Sequence, residues 1–258
     1  MKTNNMHFFQ HIRNYLCDYL VVRRKMSDQT VRTYRQSINQ LRQYLKDERG
    51  ISFTDMDFSC FTRDSIYGFL VWLGKAKNCS VQTLNLRLAA IKSFLRYCSE
   101  EDIDLTAVYL EVATIHSFKG TKKPCVEYLV QSQLKTLFSL PDVKTRNGRR
   151  DRFFIIFAYE TGARMQELLN LKLGDIIRTE AFVKVRIFGK GSKVRYVPLV
   201  HSAVKHLDAY IKEFHPFSRK SEEFLFYTIH NHQNTQMTPG TVDYMLKKYA
   251  RSAYDTDE

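Results

Sequence analysis

Glu160-Thr161-Gly162-Ala163-Arg164-Met165-Gln166-Glu167-Leu168-Leu169-Asn170-Leu171-Lys172-Leu173-Gly174-Asp175-Ile176 is the stretch on which the reading of this chain turns. An apolar run from Phe153 to Tyr159 leads into a Thr-Gly turn, and a second apolar pattern follows at helical spacing. Leu168, Leu169, Leu171 and Leu173 form the buried face of a short helix that Gly174 ends. Arg164 stands at the turn between the two runs, where a guanidinium is held rigid yet reaches a solvent-facing cleft. Its planar fork matches two phosphate oxygens at once. The same spacing also serves an ordinary helix–turn–helix whose arginine salt-bridges Glu167, and spacing alone does not choose between the two.

Downstream, Val183, Val185 and Ile187 alternate with Lys184 and Arg186, the pattern of a half-buried strand. Gly189-Lys190-Gly191-Ser192 forms a turn, and Val194, Tyr196 and Val197 belong to a return strand ending at Pro198. Helices return over Ser202–Phe214 and from Pro239 to Tyr249, the latter capped by Thr238 with Pro239 in its first turn. Upstream of the arginine, Gln131–Leu140 reads as a helix. Lys144–Arg152, with Lys144, Arg146, Arg149, Arg150 and Arg152, reads as a basic loop.

The first part of the chain reads as four helices. Phe8, Ile12, Leu16 and Leu20 mark the first. The second, after Ser27, carries Val31, Tyr34, Ile38, Leu41 and Leu45. The third, after Thr62, carries Ile66, Phe69, Leu70 and Leu73; the fourth, after Ser80, carries Leu84, Leu88, Ile91 and Leu95. Gly50–Cys60 is a polar loop with scattered aromatics. Arg32, Arg35 and Arg42 lie along the polar face of the second helix and Arg87, Lys92 and Arg96 along the fourth. Cations so spaced either meet phosphates or make a solvated face. Ala113–Cys125, with Phe118-Lys119-Gly120-Thr121-Lys122-Lys123-Pro124, reads as a basic linker. The organisation expected is a helical domain over 1–112, a linker over 113–125 and a second domain over 126–258.

Composition sets the outer bounds. The 258 residues carry a formal charge of +13, which favours a polyanionic partner, most simply nucleic acid. The excess lies in the second part: 16 Lys/Arg stand against 12 Asp/Glu in residues 1–112, and 24 against 15 in 113–258. No apolar run approaches the roughly 20 residues of a membrane span, so no membrane partner is expected. The polar start is not a secretory signal, and the five scattered cysteines form no C-x-x-C pair, which fits free thiols in a reducing cytoplasm. An RNA-binding or nuclease domain is disfavoured, because neither an aromatic stacking motif nor a metal-binding carboxylate cluster appears.

Thr161-Gly162-Ala163-Arg164-x-x-Glu167-Leu168-x-x-Leu171-x-x-x-Asp175-Ile176 resembles the first arginine motif of the tyrosine recombinases, the phage-integrase family. Gly189-Lys190-Gly191-Ser192-Lys193-Val194-Arg195-Tyr196-Val197-Pro198-Leu199 resembles that family's lysine hairpin. Ser80-Val81-Gln82-Thr83-Leu84-Asn85-Leu86-Arg87-Leu88-Ala89-Ala90-Ile91-Lys92-Ser93-Phe94 is similar to the fourth helix of its core-binding domain. The resemblance implies a mainly α fold with a small antiparallel β-sheet: a four-helix, SAM-like core-binding domain that clamps DNA, followed by a mixed α+β catalytic domain. It implies double-stranded DNA as partner, oligomers on that DNA, DNA integration or site-specific recombination as the activity, and no metal, ATP or other cofactor. By resemblance Arg164 holds the scissile phosphate, Lys190 donates the leaving-group proton, and Glu167 orients the site. Arg32, Arg35, Arg87, Lys92, Arg96, Lys193 and Arg195 are expected at the DNA backbone.

The sequence departs from the family after the hairpin. The family completes its site with His-x-x-Arg, a later His or Trp and a tyrosine nucleophile. Here His201, His206, His215, His230 and His232 follow Lys190, and none has arginine three positions on. Tyr244, Tyr249 and Tyr254 lie on or just after the last helix and are expected to be core or surface aromatics, leaving no nucleophile. The expectation is a C-terminally truncated member that binds DNA without turnover, either a piece of a recombinase or a binding-only protein occupying recombination sites.

Overall fold

The computed structural model describes residues 3–120, 128–189, 191, 193–217 and 220–254. The chain divides into two compact units, Met1–Cys125 and Val126–Glu258.

The first unit is helical. Helix α1 (Thr3–Asn14) runs on as a π-helical segment, Tyr15–Arg23, and is followed by α2 (Asp28–Arg49), α3 (Arg63–Ala76), α4 (Val81–Glu101) and α5 (Thr106–Ala113). The N-termini of α2, α3 and α4 are set as the sequence indicates: the hydroxyls of Ser27, Thr62 and Ser80 accept from the amides of Thr30, Ser65 and Thr83 at 3.3, 3.2 and 3.4 Å. Leu41, Phe69, Leu70, Leu73, Ile91, Phe94 and Leu95 of α2, α3 and α4 share one buried core with Tyr15, whose hydroxyl donates to Ser93 Oγ at 2.8 Å. The segment 50–60 is less polar in place than in sequence. It forms two 3₁₀ turns that bury Met56, Phe58 and Cys60, and the Asn5 amide ties it down by donating to the carbonyls of Phe53 and Met56 at 2.9 and 2.8 Å.

Two expectations change here. The segment after α5 is not free linker as far as Phe118: Ile115 is buried, Asn85 of α4 exchanges hydrogen bonds with the Phe118 backbone at 2.9 and 2.8 Å, and the Lys92 ammonium donates to the carbonyls of Ala113 and Ile115. The remainder of the expected linker, 121–125, lies outside the described residues. Arg87 does not stand on a polar face. It is 6% exposed and its guanidinium donates to Thr33 O and Ser37 Oγ of α2, both at 3.2 Å.

The second unit packs helices α6 (Gln131–Ser139), α7 (Arg146–Thr161), α8 (Met165–Leu169), α9 (His201–Phe214) and α10 (Pro239–Tyr254) with two antiparallel sheets. Strands β1 (Ile176–Arg178), β2 (Val183–Phe188) and β3 (Val194–Pro198) form a meander; β4 (Tyr227–His230) and β5 (Gln233–Gln236) form a hairpin. The basic stretch expected as a loop is helical from Arg146, because Thr145 caps α7 by accepting from the Gly148 amide at 3.0 Å. Two of its cations are used internally: Arg149 pairs with Glu213, and Arg150 with the buried Asp151.

Phe153, Phe157, Tyr210, Phe214 and Phe226 make the aromatic centre of this unit. Helix α10 joins it through Val242, Met245 and Tyr249, and the Tyr249 hydroxyl donates to Asp151 Oδ2 at 2.8 Å. Tyr249→Phe leaves that buried carboxylate oxygen short of a donor and is expected to cost the second unit about 1–2 kcal/mol in chemical denaturation. Tyr244→Phe, at a position 73% exposed, is expected to stay within about 0.5 kcal/mol of the parent.

Candidate active site

Helix α7 ends where Thr161 turns its hydroxyl back to the Phe157 carbonyl at 2.7 Å and Gly162 takes a left-handed conformation, φ 56°. The left-handed turn reverses the chain without Cβ strain and sets Arg164 at the N-cap of α8 in extended geometry. Leu168, Leu169 and Leu171 then bury themselves in the core, which fixes α8 and with it Glu167.

Glu167 is 7% exposed, and three donors fill its carboxylate. Arg164 supplies two: its backbone amide to Oε2 at 3.0 Å and its guanidinium Nη1 to Oε1 at 2.9 Å. Arg195 supplies the third, Nη2 to Oε2 at 2.7 Å. The Arg195 guanidinium beside it, with the Arg164 amide and guanidinium adding to the effect, pulls the Glu167 carboxyl down to about 2, against the desolvation that would raise it. Arg164 gives Glu167 one end of its fork and keeps a side chain 75% exposed. Both readings of the opening motif are therefore realised in one residue: the arginine does salt-bridge Glu167, and it still presents a cationic fork to solvent.

Strand register explains how Arg195 reaches this point. Ile187 pairs with Arg195 and Val185 with Val197, so Arg195 projects to the face of the meander on which Val185 and Ile187 are buried. A cation on an inward face needs a counter-charge, and Glu167 supplies it. The signal is present in the sequence: once Gly189 and Lys193 close the hairpin (Gly189 N to Lys193 O, 2.7 Å), Arg195 falls opposite the inward Ile187. The expectation of Arg195 as a backbone-phosphate contact does not use that register and misses the carboxylate. Gly189 lies against the same group; a Cβ there would meet Glu167 Oε1 at 3.3 Å and Arg195 Nη1 at 3.7 Å. Lys190, the next residue, lies outside the described residues, as does Ser192. Lys193 is exposed.

On the other face of the meander, Arg186 holds the buried Asp175 at 3.0 and 2.9 Å, and Asp175 Oδ2 accepts from the Lys172 amide at 3.0 Å. Asp175 thus repeats the design of Glu167: a carboxylate three residues into a turn caps that turn and takes an arginine from the meander.

The expected DNA contacts of the first unit fall into two groups. Arg32 and Arg35 are exposed on α2, where with Gln36, Asn39, Arg42 and Lys46 they line an open groove of roughly 670 Å³; Arg96 is also exposed and pairs with Glu100 at 3.0 Å. Arg87 and Lys92 are engaged inside the unit, Arg87 on α2 and Lys92 on the carbonyls of Ala113, the last residue of α5, and Ile115.

Glu167→Gln is expected to lower stability by about 1–3 kcal/mol at pH 7, because it removes charge-assisted bonds to two arginines. Glu167 has a folded-state pKa below its unfolded one, so its contribution is complete above about pH 4.5 and is lost as pH falls through about 2. Denaturant titrations of parent and variant should differ by a constant amount from pH 7 to 5 and converge at lower pH. A gap that widens on acidification would contradict the assignment.

Residues 127–258 match the phage integrase family, and residues 12–102 match the phage integrase N-terminal SAM-like domain. A putative integrase/recombinase, y4rC, of Sinorhizobium fredii is 29% identical over 242 residues, covering 94% of this chain and 70% of that protein. The tyrosine recombinase XerC of Chlamydia caviae is 27% identical over 249 residues (92% and 77%), and XerD of Oceanobacillus iheyensis is 31% identical over 195 residues (76% and 62%). Among solved structures, the XerH site-specific recombinase bound to its palindromic difH substrate aligns with TM-score 0.62 at 19% identity, over 88% of this chain and 65% of that one. The Tn1549 transposon integrase in complex with transposon right end DNA aligns with TM-score 0.66 at 14% identity, over 97% and 79%. These two show a shared fold. With a helical SAM-like unit, a second unit built around the Thr161–Arg164 turn, and family matches to both, the chain belongs to the phage integrase family of tyrosine recombinases.

Proposed function

We propose that this chain binds duplex DNA and that Arg164, Glu167 and Lys190 are the part of a recombinase cleavage site that grips the scissile phosphate. The observation that carries the reading is Arg164, whose guanidinium is anchored on a buried carboxylate while the side chain as a whole stays three-quarters exposed. A preorganised donor of this kind stabilises charge that develops on phosphate oxygens in a displacement at phosphorus, and each such donor is worth on the order of 3 kcal/mol in the transition state. In that displacement a tyrosine oxygen bonds to phosphorus, giving a 3′-phosphotyrosyl link, while the bond to the 5′ oxygen breaks and that oxygen takes a proton. Lys190 is the donor assigned to that proton, on the strength of its place between Gly189 and Gly191 in the hairpin motif. The XerH and Tn1549 integrase structures, which hold DNA, support duplex DNA as the partner.

Within these 258 residues the remaining groups are not found: no histidine after the hairpin begins a His-x-x-Arg. Burial, with the Asp151 carboxylate adding to it, pushes the Tyr249 phenol above its ordinary value, and Tyr244 is a surface residue of α10. Tyr254 has no described side chain. The reading proposed for these residues by themselves is therefore DNA binding without strand cleavage. Arg32, Arg35, Arg96 and Lys193 supply backbone contacts that set register, without base readout.

Binding to a duplex should weaken steeply with salt. Arg32→Gln and Arg35→Gln should each take about 0.9 off the slope of log K against log salt, while Arg87→Met should leave it unchanged. Incubation with a nicked suicide duplex should give no covalent adduct; a stable adduct through any tyrosine of this chain would overturn the binding-only assignment.

A further inference from the structure

Three charged groups meet at the Thr161–Arg164 turn, and the charge the site presents is the sum of all three. Arg164 and Glu167 alone are a neutral pair. The second guanidinium, Arg195, is a single hydrogen bond away from the same carboxylate, on Oε2, while Arg164 bonds Oε1 through its side chain. Glu167 is buried and Arg195 is 39% exposed against 75% for Arg164. The inward register of β3 brings Arg195 to Glu167, and a Cβ at position 189 would stand 3.7 Å from Arg195 Nη1.

Resting on the phosphate-gripping reading above, we infer that Arg195 is a positioning residue for Arg164: it neutralises Glu167, so that Arg164 keeps its anchor while the site keeps a net positive charge for one phosphate. The three groups together carry +1, which matches the single negative charge of a phosphodiester. Remove Arg195 and the site falls to zero, although Arg164 is still present. Remove Arg195 and the Glu167 charge together, and the site returns to +1. A lysine at 195 would keep the charge but lose the planar fork that fits a carboxylate oxygen beside Gly189.

Simple loss of packing cannot copy the pattern this charge arrangement produces in binding. The probe is a plain duplex oligonucleotide, and the readout is the slope of log K against log salt, which falls by about 0.9 for each phosphate the protein ceases to neutralise. Arg164→Gln and Arg195→Gln should each lower the slope by about 0.9. Adding Glu167→Gln should restore the parent slope in the Arg195→Gln background and leave it lowered in the Arg164→Gln background. Arg195→Lys should keep the parent slope. The double variant carries no buried carboxylate short of a donor, so it reports on the inference even where Arg195→Gln alone fails to fold. If Arg195 itself held a phosphate, Glu167→Gln would not restore the Arg195→Gln slope, and that result overturns the inference while leaving DNA binding intact. A parent chain with no salt-dependent duplex binding would overturn the phosphate reading itself.

Discussion

The Glu167 carboxylate is the constraint on which the rest of the site depends. Burial makes it costly unless every lone pair facing protein is filled, and three donors from two separate parts of the chain fill it. One donor is the backbone at the start of α8, one is the side chain of Arg164, and one comes from β3. The carboxylate therefore caps a helix, fixes an arginine and fastens the hairpin whose sequence carries Lys190, all through two oxygen atoms. Asp175 with Lys172 and Arg186 does the same on the opposite face of the meander. Two carboxylates at the starts of two turns thus fasten the three-stranded meander to the segment that carries Arg164.

Packing gives this arrangement its stiffness. Leu168, Leu169 and Leu171 are almost fully buried beside Glu167, and Val185 and Ile187 are fully buried on the inward face of the meander. An arginine mounted on such a base has lost most of the rotamer freedom of its anchored end before it meets an anion, which lowers the ordering cost of binding. The first unit uses its cations differently. Arg87 and Lys92 satisfy carbonyls inside it and hold α4 to α2 and to the chain beyond α5, while Arg32, Arg35, Arg42 and Lys46 line the groove on α2.

Much of this is legible in the sequence, and the parts that are not share a cause. Helix starts at Ser27, Thr62 and Ser80 are readable because a cap is local chemistry. The hairpin around Gly189 and Gly191 and the helix after Pro239 are readable for the same reason. Arg87 is not, because a small rotation about an amphipathic helix separates a solvated cation from a buried one, and the deciding partners, Thr33 and Ser37, are 54 and 50 residues away. Arg146–Arg152 reads as a loop by its charge, yet Thr145 starts a helix there and Glu213 and Asp151 absorb two of the arginines. Strands β1, β4 and β5 are short, three or four residues each, and give too little alternation to register. Arg164 and Glu167 stand out by motif; Arg195 needs the strand register to be counted across the turn, a non-local inference that charge alone hides.

The most direct measurement is a structure of the chain bound to a duplex, read at Arg164, Glu167 and Arg195. Arg164 is expected to donate to one phosphate while keeping its bond to Glu167, and Arg195 to stay on Glu167 without touching DNA. Arg195 leaving Glu167 for a phosphate, or the DNA backbone passing by with Arg164 unengaged, would contradict this expectation.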